Sequence, residues 1–319
     1  MRLAIVACVL AASVPAAAKP KDAYFMSYGG YATTEQAVIR GRVGRGQPVP
    51  DKPSRGKFRK QLATARVFFG RDVEHPRLIV AAGGKQTALV GDDEGFFEAR
   101  VPGPFPPGRQ RFEVRLDEPK YAAAPLVLEL DVVDGRAGWV IVTDIDDTLI
   151  ETGVTGSKGA MIEKVLASDA RDIKAYPGAS EALGAFAASG VPIVYLSASP
   201  IELGPRLMQF LALRGFPPGM LFLRYYPDEG VGDPTGYKDA RFQKVMGDFP
   251  GRKLILFGDN GEKDPEIFTK LGKDTGRVGA IYIRRTLPVT PGEKRYDGTQ
   301  IFGAWAEIVP HARSKGILR

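Results

Sequence analysis

At Asp134-Gly135 the sequence changes its hydrophobic period, and this change constrains the fold more than any other feature. Upstream, from Lys19 onward, the apolar runs are short, several alternate, and clusters of Gly and Pro separate them. The runs fall at 37–43, 63–69, 78–81, 96–101, 111–116 and 126–132, with turn material at 91–95 and 102–108 between them. Short strands at this spacing over 19–135 predict a β-sandwich. Downstream, continuous apolar strands at 139–143, 193–196, 254–257 and 280–283 alternate with helical patterns. Ala179, Ala182, Leu183, Phe186 and Ala187 share one helix face behind Pro177-Gly178. Leu203, Leu207, Phe210 and Leu211 mark a second helix, Phe242, Val245, Met246 and Phe249 a third, and Pro265 opens a short fourth. Strand and helix in alternation predict an α/β fold, a doubly wound parallel sheet, over 136–319.

Residues 1–18 precede both halves. Arg2, an apolar stretch from Leu3 to Val14 and the run Pro15-Ala16-Ala17-Ala18 read as a secretory signal peptide cleaved after Ala18. The stretch is well short of the ~20 apolar residues that cross a bilayer as a helix. Export to the periplasm or the medium is the expectation. Cys8 is the one cysteine of the chain, so cleavage leaves no thiol, as suits an oxidising compartment.

Composition narrows the chemistry. With one cysteine and two histidines, His75 and His311, the chain cannot build thiolate zinc sites, disulfide frameworks or multi-histidine metal clusters. Catalysis must run on carboxylates, hydroxyls and amines. The net charge of +7 favours anionic partners. A basic connection at 44–60 reads as a solvated loop that could touch an anionic surface.

In an open parallel sheet the informative residues follow each apolar strand, because ligands bind beyond the carboxyl ends. Those residues are Asp144-Ile145-Asp146-Asp147-Thr148, then Ser197-Ala198-Ser199, and finally Gly258-Asp259 with Asp264, while Lys238 precedes a helix. Carboxylates gathered in one cleft would repel a phosphate ester unless a divalent cation and a fixed ammonium neutralise the field. Without histidine or cysteine ligands that cation is hard and oxygen-bound, and Mg2+ fits best. Asp144 is then the nucleophile and Asp146 the general acid and base. Ser197 donates to the phosphoryl group and Lys238 neutralises charge. Asp144, Asp259 and the Asp146 carbonyl hold the metal, with Asp264 in support.

Asp144-x-Asp146-x-Thr148, Ser197, Lys238 and Gly258-Asp259-xxxx-Asp264, in this order, resemble the four motifs of the haloacid-dehalogenase (HAD) superfamily of phosphohydrolases. Within residues 136–319, Asp144-Ile145-Asp146-Asp147-Thr148-Leu149, Tyr195-Leu196-Ser197-Ala198-Ser199-Pro200 and Gly258-Asp259-Asn260-Gly261-Glu262-Lys263-Asp264-Pro265 resemble the actin-patch-type phosphatidate phosphatases. Tyr28-Gly29-Gly30-Tyr31 and Gly41-Arg42-Val43 are similar to the domain that precedes catalysis in bacterial members. The resemblance implies a HAD-like phosphatase with Mg2+-dependent conversion of phosphatidate to diacylglycerol, a role in lipid metabolism, and an anionic membrane surface as partner. No nucleic acid is expected. The alternatives are a phosphatase for another phosphomonoester, and a non-catalytic surface-binding module in which the α/β half is a scaffold.

Each motif has a plainer explanation. An Asp-x-Asp-x-Thr after a strand forms Asx turns, Asp264 before Pro265 is a helix cap, Ser197 and Ser199 start helices, and most lysines are solvated. Four such coincidences in the required order favour the phosphatase. The intervals 151–175 and 197–238 leave no room for an independent cap domain of ~50 residues, so a small cap or none is expected over the site. Asp147 reads as a loop residue, and Trp139 and Trp305 as core or interface residues and not ligands.

Overall fold

The computed structural model describes residues 19–47, 72–134, 138–151, 170–230 and 235–318. The first half contributes β1 (Lys21–Thr33), β2 (Gln36–Arg45), β3 (Arg77–Ala82), β4 (Lys85–Val90), β5 (Phe96–Pro102), β6 (Gly108–Leu116), β7 (Tyr121–Ala122) and β8 (Leu126–Val133). They join in the order β4-β3-β6-β8-β1-β2-β5, with β7 beside β1. Alternation along the strands turns Leu78 and Val80, Phe97, Ala99 and Val101, Phe112 and Val114, and Leu130 and Val132 inward, where they share one buried core with Ala37 and Ile39. Strands from both ends of the path line this core, so the sandwich is realised as one hydrogen-bonded sheet curled over its own inner face. Residues 1–18, the basic connection beyond Gln47 and the expected strand 63–69 lie outside the described residues.

Two strands escape the pattern of the sequence. Tyr28-Gly29-Gly30-Tyr31, outside every strand run of the sequence, lies inside β1, where a bulge between Ser27 and Gly30 shifts the register against β2 and Gly29 takes φ +76°. β4 opens with Lys85-Gln86-Thr87 and pairs only with β3, so as a mostly exposed edge it carries no apolar alternation.

The second half runs β9 (Trp139–Thr143), α1 (Ala179–Ala188), β10 (Ile193–Pro200), α2 (Gly204–Leu213), β11 (Gly219–Arg224), α3 (Tyr226–Glu229), α4 (Thr235–Asp248), β12 (Lys253–Asp259), α5 (Asp264–Thr275), β13 (Val278–Arg284), β14 (Gln300–Phe302) and α6 (Ile308–Ser314). All six strands are parallel, in the order β11-β10-β9-β12-β13-β14. From β9 the chain moves through β10 to β11, then returns to lay β12 on the other side of β9. Strand order therefore reverses between β9 and β12, where neighbouring connections diverge and leave a crevice. Helix α1 covers one face through Ala182, Leu183 and Phe186, and α4 and α5 cover the other through Phe242, Val245, Ile267 and Phe268. The sheet is doubly wound, as the alternation predicts. Between β10 and β12 the described residues are spent on α2, β11, α3 and α4, which leaves room for a small cap at most. Residues 152–169, within the other interval, lie outside the described residues, as do 135–137, where the expected domain boundary falls.

Tyr28 and Tyr31 tie the halves together. Tyr28 packs into the core on the α1 face of the parallel sheet and Tyr31 into the core on the α4 face, so β1 straddles the edge strand β11. Buried Asp248, the last residue of α4, accepts hydrogen bonds from the Tyr31 hydroxyl, from Arg100 Nη1 of β5 at 2.6 Å and from Lys244 Nζ at 3.3 Å. Burial pushes the Asp248 carboxyl up, but the Arg100 and Tyr31 hydrogen bonds and the Lys244 charge outweigh it and hold it below its ordinary 3.8. A lowered folded-state value stabilises the fold above the unfolded pKa, and that stabilisation is lost as pH falls through the folded one. The Tm gap between wild type and Asp248→Asn is therefore expected to stay level near neutrality and to shrink below about pH 4. A gap that widens in acid would refute this account.

Candidate active site

β9 hands over to Asp144, whose amide donates to the Phe257 carbonyl of β12 at 2.8 Å and whose side chain is buried. The chain then turns tightly. Leu149 and Ile150 both donate to the Ile145 carbonyl, at 2.8 and 3.0 Å, and Asp147 takes φ +54°, a left-handed conformation that Asp tolerates better than most residues. The Thr148 hydroxyl donates to Asp144 Oδ2 at 3.4 Å. Trp305 holds the loop from below, with Nε1 donating to the Thr148 carbonyl at 3.2 Å and the indole stacked on Phe257 at 5.2 Å. Trp305 is core, as its sequence context predicts, and it supports this loop.

β10 delivers Ser197 and Ser199. Their hydroxyls donate to Asp146 Oδ2 at 2.7 and 3.0 Å, and the Ser199 amide donates to Ser197 Oγ at 2.9 Å. The sequence reading directs the Ser197 hydrogen to a phosphoryl group; in the structure it goes to Asp146. Neither serine starts a helix, since both lie inside β10.

On the far side of β9, Asp259 ends β12. Asp259 Oδ1 accepts from the Gly261 amide at 2.6 Å and from Thr286 Oγ1 at 3.4 Å, while Oδ2 is buried with no hydrogen-bond partner. Asp264 does not cap its helix. Lys263 occupies the cap position of α5, no side chain caps it, and Asp264 Oδ2 accepts the Asp259 amide at 3.3 Å. Lys238, in the first turn of α4, is 1% exposed, against the solvated lysine of the plainer reading. Its ammonium donates to Asp144 Oδ1 at 3.1 Å and to Asp264 Oδ1 at 2.5 Å.

All six sequence-nominated residues thus reach one edge of the sheet, in two groups. Asp144, Asp259 and Asp264 each offer a carboxylate oxygen within 4.8 Å of the others, and Lys238 joins two of them. The Asp146 carboxylate stands apart from this triad with the two serines, its Oδ1 buried and unpartnered. Asp264, given a supporting place by the sequence reading, is a full member of the triad. Burial pushes Asp146 up to about 6, restrained by the two serine hydrogen bonds, and pushes Asp259 up to about 7, with the charge of Asp264 adding to it. Burial works against the charge on Lys238, but Asp144 and Asp264 outweigh it and hold the ammonium charged, well above its ordinary range.

Sequence reasoning passed over the polar residues at and after the end of β13. Arg284 pairs in register with Asp259, lies over the Tyr176 ring at 3.2 Å and donates to the Asp147 carbonyl at 3.4 Å. Asn260 Oδ1 accepts from the Thr286 amide at 2.7 Å, from Thr286 Oγ1 at 2.9 Å and from the Leu287 amide at 2.9 Å, fixing this loop beside Asp259. The rule that found the other residues, inspection of the first polar positions after each apolar strand, would have found Arg284 and Thr286 had it been applied to the fourth strand. His75 and His311 lie outside the site, the latter contacting Tyr282 at 3.1 Å.

A parallel sheet with carboxylates from β9 and β12, hydroxyls from β10 and a buried lysine at one crevice is a HAD-like α/β arrangement. Residues 139–285 match the family model described as "Phosphatidate phosphatase APP1, catalytic domain". Phosphatidate phosphatase APP1 of Saccharomyces cerevisiae is 34% identical over 151 residues, which are 45% of this chain and 25% of that protein. An uncharacterized Schizosaccharomyces pombe protein is 27% identical over 161 residues, 49% of this chain and 26% of its own. The chain thus spans about a quarter of the length of these relatives. Among solved structures, a HAD family hydrolase from Deinococcus radiodurans with bound phosphate and sodium is 16% identical, with TM-score 0.39, covering 56% of this chain and 96% of that one. D,D-heptose 1,7-bisphosphate phosphatase from B. bronchiseptica, complexed with magnesium and phosphate, is 14% identical, with TM-score 0.34, covering 56% and 99%.

Proposed function

We propose that the chain is a Mg2+-dependent phosphatase that forms an aspartyl phosphate on Asp144 and converts phosphatidate to diacylglycerol. The observation that carries the reading is the Lys238 ammonium, buried between Asp144 and Asp264 at the crevice where Asp146 waits with its two serines. A scaffold would have no use for so costly a burial of charge. The triad also fits a hard cation. Three buried carboxylates converge, one oxygen of Asp259 has no other partner, and no His or Cys nitrogen or sulfur joins them among the described residues. Asp144, Asp259 and Asp264 would hold Mg2+, which when bound supplies positive charge to the phosphate oxygens.

A carboxylate oxygen of Asp144 bonds to phosphorus as the bond from phosphorus to the ester oxygen breaks. Asp146, raised to about 6 and so partly protonated near neutrality, gives its proton to the departing alkoxide. It then takes a proton from the water that attacks the aspartyl phosphate, releasing inorganic phosphate and restoring Asp144. Ser197 and Ser199 orient Asp146 for both transfers, and Lys238 offsets charge on the nucleophile.

Chelation by EDTA is expected to abolish phosphate release, with activity returning on addition of Mg2+. Asp259→Ala should weaken the apparent Mg2+ affinity by about tenfold or more. An unchanged metal titration would remove Asp259 from the ligand set. The choice of lipid rests on the small room for a cap, the +7 charge and the family resemblance. Phosphatidate in mixed micelles is expected to give a higher kcat/KM than glycerol 3-phosphate. Equal efficiency on the soluble headgroup would favour the second reading, a phosphatase for another monoester.

A further inference from the structure

We propose that Asp248 is a positioning residue for Lys238, through which the N-terminal sheet sets where α4 delivers its ammonium. The inference rests on Lys238 serving the reaction as above, and it assigns the β-rich half a part in catalysis. Helix α4 is held on two sides by different forces. Phe242 and Val245 bury an apolar stripe against the parallel sheet. Such contacts are non-directional and leave a helix some freedom to slide or rotate. The opposite stripe is polar. Lys244 Nζ donates to Glu98 Oε1 of β5 at 2.7 Å, and one turn later Asp248 takes Tyr31 of β1 and Arg100 of β5.

Hydrogen bonds depend on distance and angle, so these contacts fix the axial position of the helix. Lys238 stands ten residues before Asp248, roughly 15 Å along the same helix axis. It sits in a space with almost no solvent access, between two carboxylates at 3.1 and 2.5 Å. A slip of the helix would be passed directly to that geometry, and misplacement by about 1 Å can cost on the order of a hundredfold in rate. Asp248 itself is some way from the chemistry and touches none of Asp144, Asp146 or Lys238 among its described contacts.

The test compares full-length wild type, Asp248→Ala, Asp248→Asn and Tyr31→Phe by steady-state kinetics on a phosphomonoester and by amide hydrogen exchange. Asp248→Ala is expected to lower kcat on the order of tenfold with KM within about twofold, and to speed exchange at residues 238–242 while β9 and β10 keep their protection. Asp248→Asn, whose one oxygen still accepts from Arg100 while its amide nitrogen can donate to the Tyr31 hydroxyl, should recover most of the rate. Tyr31→Phe, which keeps the ring on Phe249, should fall between wild type and Asp248→Ala; with Asp248→Asn it carries the test if the alanine variant does not fold. Unchanged kcat and exchange would overturn the proposal. So would a loss of rate with faster exchange throughout the parallel sheet, which is a stability effect without positioning. Absence of turnover in the wild type would instead sink the phosphatase reading, and the exchange pattern would then decide the anchoring of α4 by itself.

Discussion

Asp144→Asn is expected to reduce turnover by roughly 10^4-fold or more, the scale of losing a nucleophile, while the chain still folds. The amide keeps the shape of the side chain, and its oxygen can still accept the Lys238 hydrogen bond that Asp144 Oδ1 takes at 3.1 Å. What it lacks is an anionic oxygen to bond to phosphorus. Lys238 keeps Asp264 at 2.5 Å as its counter-charge, so no ammonium is left buried alone. The measurement is single-turnover phosphate release beside a thermal unfolding curve. Retention of more than a few per cent of the rate in a folded variant would take the nucleophile's role away from Asp144.

The second large effect lies far from the chemistry, at Gly29. A Cβ there would sit 1.9 Å from the Gly219 carbonyl oxygen of β11, and the backbone holds φ at +76°. Gly84 has the same φ of +76° with nothing within 4 Å of the added carbon. The two alanine variants therefore separate strain from collision. Gly84→Ala should cost about 1–2 kcal/mol, the left-handed penalty by itself. Gly29→Ala adds the cost of pushing β1 off β11, for a total of about 3 kcal/mol or more. Denaturant unfolding of both variants checks the difference, and equal losses would mean that β1 has slack against β11.

Local period was enough to read the second half. The strand 139–143 is β9 to the residue, and the polar positions after three apolar strands, with Lys238, converge as the topology requires. The period is legible because a strand buried on both faces is apolar throughout, wherever its neighbours come from. Tertiary partnership was not legible. Nothing in Phe242, Val245 and Met246 says that Lys238 is buried, because an apolar stripe marks the face of a helix and not the pocket its first turn enters. The Ser197 hydroxyl approaches Asp146 at 2.7 Å, a tertiary contact that no local pattern announces. The polar stripe of Lys244 and Asp248 looks like an ordinary solvated face. In β1 the Gly-Gly pair breaks any apolar alternation at the bulge, where Gly29 passes against the Gly219 carbonyl and a Cβ on Gly30 would meet the Val38 carbonyl.

That close pass also governs how the molecule meets copies of itself. A parallel sheet ends in edge strands whose free backbone groups can template another chain. β14, one edge, has three residues, too few to recruit much. β11, the other, reads Gly-Met-Leu-Phe-Leu-Arg and is buried along its whole length, in part by β1 lying across it with a tyrosine on either side. Uncovered, this stretch is uncharged up to its last residue and apolar, the composition of a self-pairing segment. The Gly29→Ala chain should therefore scatter light on warming at temperatures where Gly84→Ala stays clear. Solubility of the parallel sheet is in this sense held by a strand from the other half of the protein.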